Sequence, residues 1–250
     1  MEQFDELIWN QVFQFLDQTS IINVTLTSIK LLKLKICLTH FELDPTIKKN
    51  IFDIYSNIIS IKLMNLYDHF SLWDIRQPFQ DLLNTIFSDK KISQLKYLDC
   101  SYCDYKINVE NMINLISLNS SFCKRITGID KLLYLVYLNH SHNTPDGFQG
   151  CATYEMIDVS GLLNLTHLVC YGDSYIFNID KLINLTILEC DIRMCLENIN
   201  KLTNLKLIVF YYNNTIGLDL NVYIEDFKIK YNQYISTHNI KIQYKPMWPV

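Results

Sequence analysis

The chain has 250 residues, 49% hydrophobic and 19% charged, a balance that supports a sizeable folded core and lies well away from disorder. Six glycines and a single alanine, Ala152, with no GxGxxG or GxxxxGK[ST] motif, argue against phosphate loops and tightly packed doubly wound enzyme folds. A net charge of −4, with only Arg76, Arg125 and Arg193 among 22 basic residues, rules out a global basic field, so nucleic acid and anionic membranes are not expected partners.

The first residues, Met1-Glu2-Gln3-Phe4-Asp5-Glu6, are acidic where a signal peptide is basic, and no apolar run approaches the roughly 18 residues that span a bilayer. The expected setting is cytoplasmic or nuclear and reducing, with the eight cysteines as thiols instead of a disulfide framework. Phe4, Leu7, Ile8, Val12, Phe15 and Leu16 recur at spacings of three and four, which predicts an amphipathic helix. Asp17-Gln18-Thr19-Ser20 breaks it and offers N-caps to a second helix through Ile21, Ile22, Val24 and Leu26. Thr27-Ser28 caps a third, from Ile29 to about Ile36.

These three helices, within residues 1–44, resemble the F-box. Phe4 stands at the motif's leading Leu, Val12-Phe13-Gln14-Phe15-Leu16-Asp17 at its Ile-Phe-x-x-Leu-Asp stretch, and Ser20-Ile21-Ile22 at its acidic-Leu-Leu step. Asp5, Leu7, Thr27 and Leu31 depart from the family's Pro, acidic, Val and Trp positions. The resemblance implies that Phe4, Ile8, Val12, Phe13, Leu16, Ile21 and Ile22 dock on a Skp1-like adaptor and, through it, a cullin ubiquitin ligase. The alternative is an N-terminal helical cap that shields the open core of the chain's first repeat.

Residues 45–92 form a degenerate connecting region. Ile58-x-x-Ile61-x-Leu63-x-x-Leu66 has the spacing of one worn repeat, and Leu82, Leu83, Ile86 and Ile92 that of the second half of another. Over residues 93–213 the repetition is clear. A block LxxLxΦxxN/C starts at Leu95, Leu115, Leu135, Leu165, Leu185 and Leu205, a period of 20 with one interval of 30. The longer interval holds an inserted loop, residues 144–156, with Pro145, Gly147 and Gly150. The second half recurs too, as in Ile126-x-x-Ile129-x-x-Leu132 and Ile176-x-x-Ile179-x-x-Leu182.

This pattern resembles the leucine-rich repeat (LRR) family in its short form, whose convex side carries 3₁₀ or extended segments. The expected fold is an α/β LRR solenoid with parallel strands on the concave face, preceded by the small F-box-like helical module. Each block should form a short strand with leucines inward. The ninth position, occupied by Cys103, Cys123, Asn143, Asp173 and Asn213, suits bonding between turns, and Arg193 departs from it. Cys100, Cys170 and Cys190 share one inward column as small hydrophobes. A lone Cys100-x-x-Cys103 with His140 and His142 nearby is a weak zinc signal, and no metal or cofactor is expected. Residues 214–250 combine helical periodicity at Val222, Phe227, Tyr231 and Tyr234 with strand alternation at Asn239–Tyr244, a C-terminal cap.

No nucleophile–base pair, paired carboxylates, GxSxG or HExxH occurs, so no catalytic residue is assigned and the chain is expected not to be an enzyme. The outward strand positions form the candidate target-binding face: Tyr97, Asp99, Tyr102, Asn119, Phe122, Tyr137, Asn139, His142, His167, Tyr171, Glu189 and Tyr211. Aromatic-rich and poor in Arg, that face suits protein recognition. The two resemblances together imply a substrate-recognition subunit of an SCF-type ligase, holding a protein target on the repeats. A repeat scaffold or inhibitor outside the ubiquitin system is the alternative. The near absence of Ala and the excess of Lys over Arg resemble the products of AT-rich genomes, such as those of some protists and large DNA viruses.

Overall fold

The computed structural model describes residues 40–43, 58–63, 81, 83–86, 90–103, 105–123, 125–141, 156–172, 176–191, 198–212 and 220–246. In chain order the strands are β1 (His40–Leu43), β2 (Ser60–Leu63), β3 (Tyr97–Asp99), β4 (Lys106–Asn108), β5 (Ser117–Asn119), β6 (Arg125–Thr127), β7 (Tyr137–Asn139), β8 (Ile157–Asp158), β9 (His167–Cys170), β10 (Ile176–Phe177), β11 (Ile187–Asp191), β12 (Leu207–Tyr212) and β13 (Lys241–Pro246). Nine of them make one sheet in the order β1-β2-β3-β5-β7-β9-β11-β12-β13. Every pairing in it is parallel, and between the repeats every register aligns equivalent positions.

The strands are short because the repeat supplies only one inward residue flanked by two outward ones before the chain must turn. Those inward residues, Leu98, Leu118, Leu138, Leu168, Leu188 and Ile208, sit side by side in register and are buried. The block-leading leucines from Leu95 to Leu205 are equally enclosed. One chain turn therefore cannot bury its own leucines, and the core is continuous across turns. The 30-residue interval does not disturb this: Tyr137, Leu138 and Asn139 pair with His167, Leu168 and Val169 without a slip.

The opposite side of each turn is extended or 3₁₀. β4 pairs with β6 and β8 with β10, and 3₁₀ turns run over Ile129–Lys131, Ile179–Lys181 and Ile199–Lys201. Their N-caps are left-handed, at Gly128 (φ 84°), Asn178 (63°) and Asn198 (60°). Asn tolerates that conformation, and Gly adopts it freely. At residue 128 only Gly fits, because a Cβ would lie 2.7 Å from the backbone N of Glu110.

One set of side-chain hydrogen bonds that ties turn to turn comes from the position just before the block-leading leucine. Nδ2 of Asn114, Asn164, Asn184 and Asn204 donates to the carbonyl oxygens of Ser93, Leu133, Leu163 and Ile183, each at 2.8 Å. Gln94, in the same column, donates instead to the carbonyl of Ile58, the block-leading residue of the preceding turn, at 2.7 Å. These residues immediately precede the block-leading leucine, where the chain bends into the strand and leaves a carbonyl unmatched by the sheet ladder. Tyr134 occupies this column in the remaining turn. Cys103 and Cys123 are buried, while Asn143, Asp173, Arg193 and Asn213 lie outside the described residues.

The two ends extend the sheet. The sheet already includes His40–Leu43, paired with β2, so a strand lies inside the 1–44 stretch expected to be a helical module. Its period-two run His40-Phe41-Glu42-Leu43 is too short to stand out against the helical pattern before it. The worn repeat at 58–66 supplies β2, with Ile61 against Leu98, and Leu83, Ile86 and Ile92 join the core. At the other end, helix α1 (Leu220–His238) packs Phe227, Tyr231 and Ile235 onto the core, buries Tyr234, and returns the chain as β13, a further parallel strand beside β12. Ile242 and Tyr244 remain only half-buried, so β13 continues the solenoid and forms the edge of the sheet.

Candidate functional site

The outward face of the nine-stranded sheet carries the candidate residues. Outward positions one register apart come from different repeats, so residues twenty or thirty apart in sequence become neighbours about 4.8 Å apart. Around Glu189 this brings four repeats together. Nε2 of His167 donates to Oε1 of Glu189 at 2.9 Å, and the Tyr211 hydroxyl donates to Oε2 at 2.8 Å. The Tyr137 ring meets the His167 ring edge-on, with centroids 5.0 Å apart. Tyr171 and Tyr211 stack at 4.2 Å, and Lys245 places its ammonium 5.9 Å from the Tyr211 ring centroid.

The electrostatics follow from that packing. The hydrogen bond from His167, and then that from Tyr211, hold the Glu189 carboxyl below the usual carboxylate range, against the opposing effect of burial. Burial pushes the Tyr211 hydroxyl up, helped by its bond to the neighbouring carboxylate. Tyr137 is raised first by burial and then by the charge of Glu189. The cluster thus places one carboxylate among the phenols of Tyr137 and Tyr211 and the ring of His167.

A second aromatic pair lies at the strand exits. Tyr102 and Phe122 stack with centroids 4.5 Å apart and planes 7° from parallel. Both have φ of 58°, a left-handed conformation that bulky side chains rarely adopt. Such strain, of order 1–3 kcal/mol per residue, persists where the surroundings over-determine it. Here it turns two large rings outward at positions a Gly or Asn would occupy at less cost.

Asp99, Asn119 and Asn139 have a more local task. Each Oδ1 accepts from both the backbone N–H and the hydroxyl of the serine two residues on, Ser101, Ser121 and Ser141, at 2.7–3.3 Å. These are Asx turns that end the strand. The D/N-x-S spacing in three successive repeats is the sequence signal for them. Tyr97 and Tyr102 are exposed, whereas two other outward residues, Val169 and Val209, are buried at 5% and 1% exposure. Both have a larger outward side chain two residues on, Tyr171 and Tyr211, in the same column. His142 and the seven adaptor candidates, Phe4, Ile8, Val12, Phe13, Leu16, Ile21 and Ile22, lie outside the described residues.

The inward column contains a polar pair that sequence reasoning passed over. Ser120 Oγ lies 3.0 Å from His140 Nδ1, and both residues are buried between the Cys100 and Cys170 levels of the stack. Ser120 Oγ is also 3.2 Å from the Asn139 carbonyl oxygen. The two side chains are thus hydrogen-bonded to each other inside the core. Cys170 and Cys190 are register partners on β9 and β11, and both are free thiols. Among the described residues no group of three or more His, Cys, Asp or Glu side chains is arranged to hold a metal ion, and no helix is long and apolar enough to cross a membrane.

Twenty-residue turns, an in-register parallel sheet of leucine columns, 3₁₀ segments behind it and an amide ladder between turns make a parallel-strand solenoid of a kind that fits a leucine-rich repeat. No protein-family model matches the chain, and no curated protein sequence matches it. Among solved structures it is similar to an LRR protein of Leptospira interrogans, at 17% identity and a TM-score of 0.44 over 73% of this chain. The chain spans 45% of the length of that protein.

Proposed function

We propose that this chain is a non-enzymatic protein-recognition subunit. The outward strand face holds a target protein, and the N-terminal segment docks on a Skp1-like adaptor of an SCF-type E3 ubiquitin ligase in the cytoplasm or nucleus. Ubiquitin transfer belongs to the other subunits. The observation that carries the recognition half is the aromatic face: Tyr97, Tyr102, Phe122, Tyr137, Tyr171 and Tyr211 present contact area of the kind that dominates protein interfaces. The adaptor half rests on the F-box resemblance of residues 1–36. The departures at Asp5, Leu7, Thr27 and Leu31 favour a second reading, a repeat scaffold or inhibitor whose N-terminal segment only shields the first turn.

A pull-down of the full chain with a purified Skp1 homologue separates the two. Retention that is lost in Phe13→Asp plus Leu16→Asp supports the ligase reading. Failure of the wild-type chain to retain the adaptor assigns the scaffold reading. For the face, Tyr102→Asn plus Phe122→Asn removes both rings while leaving residues that tolerate φ of 58°. Unchanged affinity of that variant for a captured target would remove those rings from the binding face.

A further inference from the structure

Along the rim that leads into the strands, four consecutive turns place an aliphatic side chain at the same repeat position and leave it about half exposed: Ile113 (53%), Leu133 (56%), Leu163 (50%) and Ile183 (53%). Ser93 and Thr203 end the row on either side. Solvated turn positions have no packing reason to be aliphatic four times over. The column next to the row is the amide ladder, and it is broken once, at Tyr134, which is 60% exposed and adjacent to Leu133. One inter-turn hydrogen bond is thus forgone where an aromatic ring stands at the middle of the stripe. Tyr134 also lines a groove of about 810 Å³ with Ile116, Val136, Asn114 and Asn164.

We infer that this stripe is a second docking site, separate from the strand face, for an amphipathic helix of a partner protein that carries acidic residues along one flank. Turns stack about 4.8 Å apart, so the four residues span roughly 14 Å. One face of an α-helix laid along the stack presents a side chain about every 5.4 Å, close enough to engage all four over three turns. The flank chemistry comes from Lys131, Lys181 and Lys201, two residues before the stripe position in their turns and each at least half exposed. Asp130 pairs with Lys131 at 2.7 Å and Glu110 lies close enough to act on the same lysine, while Asp180 is shared between Lys181 at 3.5 Å and Lys201 at 3.0 Å; Lys96, which lines the groove with Tyr134, adds the positive charge that these three acids do not balance. A second copy of this chain fits less well: the stripe is smaller than the roughly 800 Å² per partner of a standard interface, and stripe-on-stripe packing would oppose lysine to lysine.

The probe is a synthetic helical peptide of about 16 residues with leucines at i, i+4, i+7 and i+11 and glutamates on one flank, titrated calorimetrically into the full chain. Saturable binding is expected, weakened at least tenfold by Leu133→Ser plus Leu163→Ser, and by Lys131→Glu plus Lys201→Glu, in variants that melt like the wild type. Absence of binding, or equal binding by the leucine variant or by a peptide with lysine flanks, overturns the proposal. A wild-type dimer dissociated by the leucine substitutions would assign the stripe to a second copy. Tighter peptide binding by Ile8→Asp plus Val12→Asp would assign it to the chain's own N-terminal segment. Either result would also overturn it. The stripe substitutions leave the strand face untouched, so failure here is distinct from failure of the target-binding reading.

Discussion

The side-chain amide of Asn184 donates to the carbonyl oxygen of Leu163 at 2.8 Å, linking one turn of the solenoid to the turn before it. The same bond recurs at Asn114, Asn164 and Asn204 and is missing at Tyr134. Asn184→Ala should therefore lower stability by about 1 kcal/mol, the usual net contribution of such a bond. Tyr134→Asn should restore the missing rung toward the carbonyl of Ile113 and raise stability by a similar amount. Urea unfolding of both variants checks this, and a destabilised Tyr134→Asn would show that the column does not work as a ladder there.

The Glu189–His167 contact makes stability depend on pH in a definite sense. The folded-state carboxyl is held below its ordinary range, chiefly by the bond from His167. A depressed acid favours the folded state above its unfolded value, about 4.3, and that contribution disappears as pH falls through the folded value. Wild type should melt above Glu189→Gln at pH 7, with the gap closing as the pH drops below about 4. A gap that persists unchanged in acid would mean that the carboxylate's charge contributes nothing.

Gly128→Ala should destabilise by about 2 kcal/mol or more, because a methyl group there combines a strained positive φ with a backbone clash at Glu110. Asn178→Gly, at the equivalent position of a later turn and with φ of 63°, should change stability by only a few tenths of a kcal/mol. Thermal melts of the two variants give the contrast directly.

The buried thiols should be chemically silent in the folded chain. Burial pushes Cys170 and Cys190 up, and a hydrogen bond with Cys123, followed by burial, does the same for Cys100. Iodoacetamide at pH 8 should leave Cys100, Cys103, Cys123, Cys170 and Cys190 unlabelled until denaturant unfolds the repeats. Mass spectrometry of the peptides reads the outcome, and rapid native labelling of Cys170 would refute its place in the core.

Much of the scaffold is legible in the sequence because burial alternates along a strand with a strict period. Leu98, Leu118, Leu138, Leu168 and Leu188 have to point one way, and their recurrence at multiples of ten residues places them side by side. β1 is less legible, since four residues carry little periodicity. Cys, Asn and Asp at the ninth position suggest inter-turn bonding because they can bond backbone; that the asparagines before the leading leucines bond between turns as well depends on where the chain bends, and that is a three-dimensional fact. Asp99, Asn119 and Asn139 are legible as outward residues but not as turn-formers, since their bonds to Ser101, Ser121 and Ser141 arise only once the strand ends.

The repeat period, the leucine columns and the helix and strand at the C-terminus are all written in the order of the residues. These are properties of spacing and residue type, which act over one turn of chain. Which outward residues meet is settled only by the stacking of turns. Glu189, His167 and Tyr211 lie 22 residues apart in successive pairs, Tyr102 and Phe122 are separated by a full turn, and Leu133 and Leu163 by 30 residues. Strand spacing converts those separations into contacts, and with them into a carboxylate cluster, an aromatic pair and an exposed aliphatic stripe.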